Sequence, residues 1–161
     1  MRRLALPLVL LLLAAPLMAR DSLGVFGDWG AFRDPAVPRC YAIAAAQSSR
    51  NRDFAPFASV GSWPGQQVRG QVHLRPSRRL SSGSTANLRI GTANFRVSGG
   101  ESDLWAADAR ADAAILSAMR SASSMTLSAR DTRGRSFTDR YSLRGVATAL
   151  DAASVGCSRS R

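Results

Sequence analysis

There is no lysine in this chain of 161 residues: all 22 of its basic residues are arginine, against 11 acidic ones. Histidine occurs once, at His73, and cysteine twice, at Cys40 and Cys157. No apolar run reaches the roughly twenty residues that a membrane-spanning helix needs. Each shortage excludes something. Two cysteines and one histidine fall short of the four ligands of a structural zinc site, so no metal is expected. A Ser–His–Asp triad would have to use His73, and no Gly-x-Ser-x-Gly elbow is present to carry a nucleophile. There is no Gly-rich phosphate loop, no His-Glu-x-x-His pair and no internal repeat, and nothing in the sequence calls for a cofactor. The missing lysine also weakens what the arginines signify, because it points to biased codon usage rather than to a dedicated binding face.

What is present begins with Met1-Arg2-Arg3 and an apolar run over residues 4–17, followed by Met18-Ala19 and the charged Arg20-Asp21. That is the layout of a secretory signal peptide, 1–19, with cleavage after Ala19 favoured over Ala15, since Pro16 would follow the alternative bond. A retained membrane anchor is the competing reading. No Cys follows the run, so a lipid anchor is not indicated. The expected mature chain, residues 20–161, is long enough for one domain with a real core. Without Arg2 and Arg3 it keeps 20 arginines against 11 acids, an excess of nine. Such an excess suits nucleic acid, an anionic membrane surface or acidic polysaccharide. Export argues against nucleic acid, and no nucleic-acid module is readable. In an oxidising compartment two cysteines have one possible pairing, Cys40–Cys157, which predicts a structural disulfide in a periplasmic protein.

The rest reads as short strands and turns. Phe26 to Phe32 opens the domain with Trp29 and Phe32 as core anchors. Strands follow at Arg39 to Ala44 and Phe57 to Trp63, with a polar loop between them at Ser48 to Asp53. Val68, Gly70, Val72 and Leu74 then alternate with Arg69, Gln71, His73 and Arg75, the pattern of a half-buried strand. Leu88 and Ile90 face inward with Arg89 outward, and Phe95 and Val97 inward with Arg96 outward. Ala111, Ile115, Met119 and Ala122 recur at helical spacing, predicting a helix over about 108–121 capped by Asp108. A hairpin follows, with Met125, Leu127 and Ala129 before the turn Asp131-Thr132-Arg133-Gly134 and Phe137, Tyr141 and Leu143 after it. An Ala-rich segment at about 145–155 predicts a second helix. The class is mainly β with two short helices.

Trp105-Ala106-Ala107-Asp108, Ala118-Met119-Arg120, the run from Thr138 to Gly145, Ala149-Leu150 and the closing Cys157 together resemble the bacterial invasion-associated locus B family. Phe26-Gly27-Asp28-Trp29 and the Cys40 strand fit it more loosely. One departure is that Ala31 and Phe32 stand where that family often has a further Cys. The resemblance implies an immunoglobulin-like β-sandwich and an exported, envelope-associated protein with an envelope or host-surface partner. It does not carry over invasion as an activity, because a shared fold does not fix function.

Two sets of residues stand out as candidate sites. Arg69, Arg75, Arg89 and Arg96 point outward and would hold lipopolysaccharide phosphates or acidic glycan if they form one patch. Asp139 shares the inward parity of Phe137, Tyr141 and Leu143, and a charge there is costly unless paired. It is expected to clamp the hairpin to a neighbouring segment through an Arg or backbone N–H groups. Asp108 and Asp112 lie on one helix face, where capping explains them better than paired-carboxylate catalysis. Two functions from different classes follow. One is a non-catalytic envelope protein. The other is a carrier of a small ligand or acidic glycan, which a sizeable apolar cavity with converging polar groups would favour.

Overall fold

The computed structural model describes residues 20–47 and 52–158; the expected signal peptide, 1–19, and positions 48–51 of the expected polar loop lie outside the described residues. The period-two segments form ten strands: β1 (Asp21–Phe26), β2 (Trp29–Asp34), β3 (Arg39–Ala45), β4 (Phe57–Trp63), β5 (Val68–Arg75), β6 (Thr85–Ile90), β7 (Ala93–Gly99), β8 (Leu104–Trp105), β9 (Ser124–Arg130) and β10 (Ser136–Ser142). Two helices, α1 (Ala109–Ser121) and α2 (Val146–Ser158), lie where helical spacing predicts them, α2 running three residues beyond the expected end. The opening stretch, Phe26 to Phe32, holds the end of β1, a turn and most of β2. Gly27-Asp28 makes a turn between β1 and β2, and Phe26 pairs with Trp29 across it. β1 itself is poorly marked in the sequence because its register shifts between Ser22 and Gly24 and its Val25 points to solvent.

All neighbouring strands are antiparallel, in the order β1-β2-β3-β4-β5-β8-β7-β6-β9-β10. The two-residue β8 bridges the halves, pairing Leu104 with Leu74 of β5 on one side and with Gly99 of β7 on the other. The last strand then returns to the first half. The Trp29 indole donates to the carbonyl of Ser142 at 2.9 Å, and the Gln47 N–H to the carbonyl of Arg140 at 2.7 Å. Inside this curl lie Trp29, Leu74, Leu88, Leu127 and Tyr141, all fully buried. Helix α2 covers β1–β3 and α1 covers β5. The turn into α2 passes so close to the first hairpin that Gly145, at φ +88°, has the carbonyl of Phe26 where a Cβ would sit. Asp28 N–H donates to the Arg144 carbonyl at 3.0 Å, and Arg144 pairs with the Asp28 carboxylate at 2.9 Å.

α1 holds its place by one buried polar bond. β8 supplies partners only to His73 and Leu74, so the N–H of Val72 would be left bare at the edge of β5. Asp112, on the inner face of α1, accepts it through Oδ1 at 2.8 Å. Burial raises the Asp112 carboxyl above its ordinary pKa; the Val72 bond works against that shift and the Asp108 charge adds to it. Asp112→Ala is expected to cost about 1–3 kcal/mol by orphaning Val72 N–H. Urea unfolding checks it, and an unchanged midpoint would show that water replaces the carboxylate.

Candidate functional site

The first element of the site is the disulfide. Cys157 lies in the last turn of α2 and Cys40 is the second residue of β3, and their bond, with Cα atoms 5.6 Å apart, closes a separation of 117 residues. Cys157 follows Leu150 and Ala153 on one face of α2 at helical spacing. Opposite them α1 presents Ala109, Ala113, Leu116 and Arg120, again one face, turned away from its core residues Ile115 and Met119. Between the two helix faces and the β4–β5 connection lies a cleft of about 680 Å³. Its floor includes the cystine, Val60 and Val68, and small residues leave the room: Gly65 and Gly70 on the strand side, Ala109, Ala113 and Ala153 on the helices. Gly70 has φ +65°, and a Cβ there would stand 3.0 Å from Leu116 Cδ2, so glycine is what lets α1 approach β5.

The polar groups of the cleft are all neutral or positive. Ser62 spends its hydroxyl accepting the Gly70 N–H at 3.0 Å, and the Ser158 hydroxyl donates to the Val155 carbonyl at 2.8 Å. Arg120 pairs with Asp151 at 2.7 Å, which balances its charge. Arg69 is exposed and its guanidinium makes no hydrogen bond or ion pair with any described residue. Among the described residues no carboxylate lines the cleft.

The four arginines singled out by outward parity fall into separate places. Arg69 stands at the cleft. Arg75 is engaged by Asp103, at 3.0 Å from its Nη2, and lies over the Phe57 ring at 5.2 Å. Arg89 and Arg96 share the outer face of the β6–β7 pair, where the register sets Arg96 against Asn87 and Arg89 against Asn94. Beyond β8, towards Arg69, α1 takes the place of a strand at the edge of β5 and separates it from that pair.

Asp139 lies on β10 with only 1% of its surface exposed. Its Oδ2 accepts the backbone N–H of Ser77 at 2.7 Å, tying the hairpin to the segment after β5. Its Oδ1 has no partner among the described residues. Burial raises the carboxyl pKa, and the Ser77 hydroxyl and N–H and the Arg78 charge offset this only in part. The neighbouring Tyr141 hydroxyl reaches the carbonyls of Phe57 and Arg75 at 3.5 Å each, and burial together with the Asp139 charge pushes its pKa up. At the hairpin tip Asp131 accepts the N–H groups of Arg133 and Arg135, both at 2.9 Å, and the Arg135 guanidinium at 2.8 Å. Burial opposes its ionisation, but those donors outweigh it and hold the carboxyl below its ordinary value.

Outward parity for His73 does not mean exposure. Its Nε2 lies 2.7 Å from Asp103 Oδ1, while its ring stacks on Trp105 at 5.2 Å and meets Phe57 edge-on at 5.2 Å. Asp103 also takes the Ser102 hydroxyl and the Arg75 guanidinium. Burial would raise its pKa, yet the bonds from Ser102, His73 and Arg75 bring it below the ordinary value. The order of groups is Ser–Asp–His. A triad needs the imidazole between hydroxyl and carboxylate, so that it can take the serine proton; here the carboxylate already accepts that hydroxyl. No periodic signal could have announced this cluster, because Asp103 lies in a loop 30 residues from His73. Among the described residues no group of three or more His, Cys, Asp or Glu could hold a metal ion, and no helix is long and apolar enough to cross a membrane.

No family model, curated protein or solved structure matches this chain. The likeness to the invasion-associated locus B family therefore rests on the sequence motifs alone.

Proposed function

We propose that this protein is an exported, non-catalytic component of the bacterial cell envelope, of the invasion-associated locus B type, which works by binding. The observation that carries the binding reading is the cleft between α1, α2 and the β4–β5 connection: about 680 Å³, apolar in its floor, with an unpaired arginine beside it. That volume lies within the range of small-molecule sites. Among the described residues its lining offers no acid, base or activated nucleophile: the serines lack a neighbouring imidazole and the cysteines are joined. The disulfide supports an oxidising destination. Of the two functions raised by the sequence, the carrier of a small ligand gains from this geometry, whereas Arg89 and Arg96 on the β6–β7 face remain candidates for weak, salt-sensitive contact with lipopolysaccharide phosphates or acidic glycan.

Two measurements test the reading. Expressed in full in a Gram-negative host, the chain should appear in the periplasmic fraction with a mass starting at Arg20; an intact Met1 terminus would overturn export. Native mass spectrometry of that material should find a co-purifying small molecule released by organic solvent. Protein that leaves the envelope with an empty cleft, and gains no ligand from envelope extract, would overturn the carrier reading.

A further inference from the structure

We infer that the cleft is a site for a single-chain amphiphile with a carboxylate head, of the fatty-acid class, with Arg69 as the residue that holds the head. This rests on the reading of the cleft as a binding site and names its ligand.

The shape is the first argument. The cleft follows α1 from Ala109 to Arg120, a length of about 16 Å at the helical rise. A cleft that follows the helix and is lined by Val60, Val68, Leu116 and Leu150 suits an extended alkyl chain. A sugar ring, by contrast, would leave its hydroxyls facing these side chains without hydrogen-bond partners. The charge is the second argument. Among the described residues no carboxylate is in the lining and Arg120 is already balanced by Asp151, so Arg69 leaves one uncompensated positive charge there. One guanidinium matches a carboxylate, which it can meet with two parallel N–H···O bonds. A phosphomonoester would bring close to two negative charges to the same single cation. The position of Arg69 is the third. It lines the cleft between Val68 and Gly70 and is exposed, so its charged end reaches water at the mouth. The head would sit at the mouth and the tail run inward along α1.

The test uses the exported chain after solvent extraction, with dodecanoate, tetradecanoate and dodecanol as probes in isothermal titration calorimetry. Dodecanoate should bind one to one, and tetradecanoate about fifteenfold more tightly, since each of its two further buried methylenes adds roughly a fourfold gain. Arg69→Gln should weaken both carboxylates about tenfold or more and leave dodecanol unchanged. Ala113→Trp, at an exposed α1 position, should abolish binding of all three while the melting temperature stays near that of the unaltered protein. Equal effects of Arg69→Gln on dodecanoate and dodecanol would overturn the role of Arg69. Full binding to Ala113→Trp would place the chain outside the cleft and overturn the site. Should neither carboxylate bind while the envelope-derived molecule still does, the ligand class falls and the binding reading stands. Association with anionic phospholipid vesicles that salt removes and Ala113→Trp leaves intact, without fatty-acid binding, would equally overturn the inference in favour of surface electrostatics.

Discussion

Replacing Cys40 and Cys157 together by Ala is expected to lower the melting temperature by roughly 10–20 °C. The bond closes a separation of 117 residues, for which the chain-entropy relation puts the stabilisation at about 5 kcal/mol, an upper figure. The folded state loses little else, because the two side chains lie in an apolar setting that Ala fits, although each substitution enlarges the floor of the cleft. The consequence is local before it is global. α2 is held to β1–β3 by Val146, Ala149, Leu150 and Ala153, all buried alanines or aliphatics, and its last turn depends on Cys157 for its anchor. Hydrogen exchange in the reduced protein should therefore rise first at the C-terminal end of α2 and along the Cys40 end of β3. Differential scanning calorimetry with and without reductant makes the comparison on the unaltered chain. A reduced protein melting within a degree of the oxidised one would mean that the α2 interface suffices without the crosslink.

The second large effect is expected at Asp139, and its sign depends on pH. Asp139→Ala removes the acceptor of the Ser77 N–H and leaves that donor buried, a cost of about 1–3 kcal/mol or roughly 3–10 °C in melting temperature. Asp139→Asn keeps a carbonyl oxygen for Ser77 and should cost less. The pH dependence follows from burial, which raises the folded-state pKa of the carboxyl above its unfolded value. Such a group binds its proton more tightly in the folded chain, so its contribution to stability is fully present below the unfolded pKa of about 3.9 and is lost as pH rises through the folded one. Asparagine is neutral throughout and has no such loss. The stability of Asp139→Asn relative to the unaltered protein should therefore be most favourable at neutral and alkaline pH and decline on acidification, as the native carboxyl takes up its proton. Urea unfolding of both proteins between pH 4 and pH 8 measures it. Parallel curves would show that the folded carboxyl is ionised across that range as the unfolded one is, so that its pKa is not raised, and an Ala variant as stable as the native chain would show that water satisfies Ser77.

How much of this was legible from the residues differs from element to element. Strand alternation located β4, β5, β6 and β7 because a period of two is local: each side chain's face is set by its immediate neighbours. The same local rule put Ile115 and Met119 on the inner stripe of α1. It put Ala111 there too, where the buried residue is Asp112. The polar residue is tolerated at that position because Val72, 40 residues away, needs an acceptor. Parity likewise turned Asp139 towards the core beside Tyr141, but it could not say that the partner is Ser77, 62 residues distant, rather than an arginine. For His73 the alternation gave the outward face but not the groups that cover the ring there. Trp105 and Asp103 arrive beside it only through the β5–β8 pairing.

By itself, then, the sequence determined the mainly-β class, the two helices and, since two cysteines allow one pairing, the disulfide. Each of these depends on spacing along the chain or on a count. Only the tertiary structure decided which arginine stands free beside an apolar cleft and which are spent on Asp103 and Asp151. The walls of that cleft come from β3, β4, β5, α1 and α2. Their meeting is set by long-range packing, for which no single stretch of residues carries a signal.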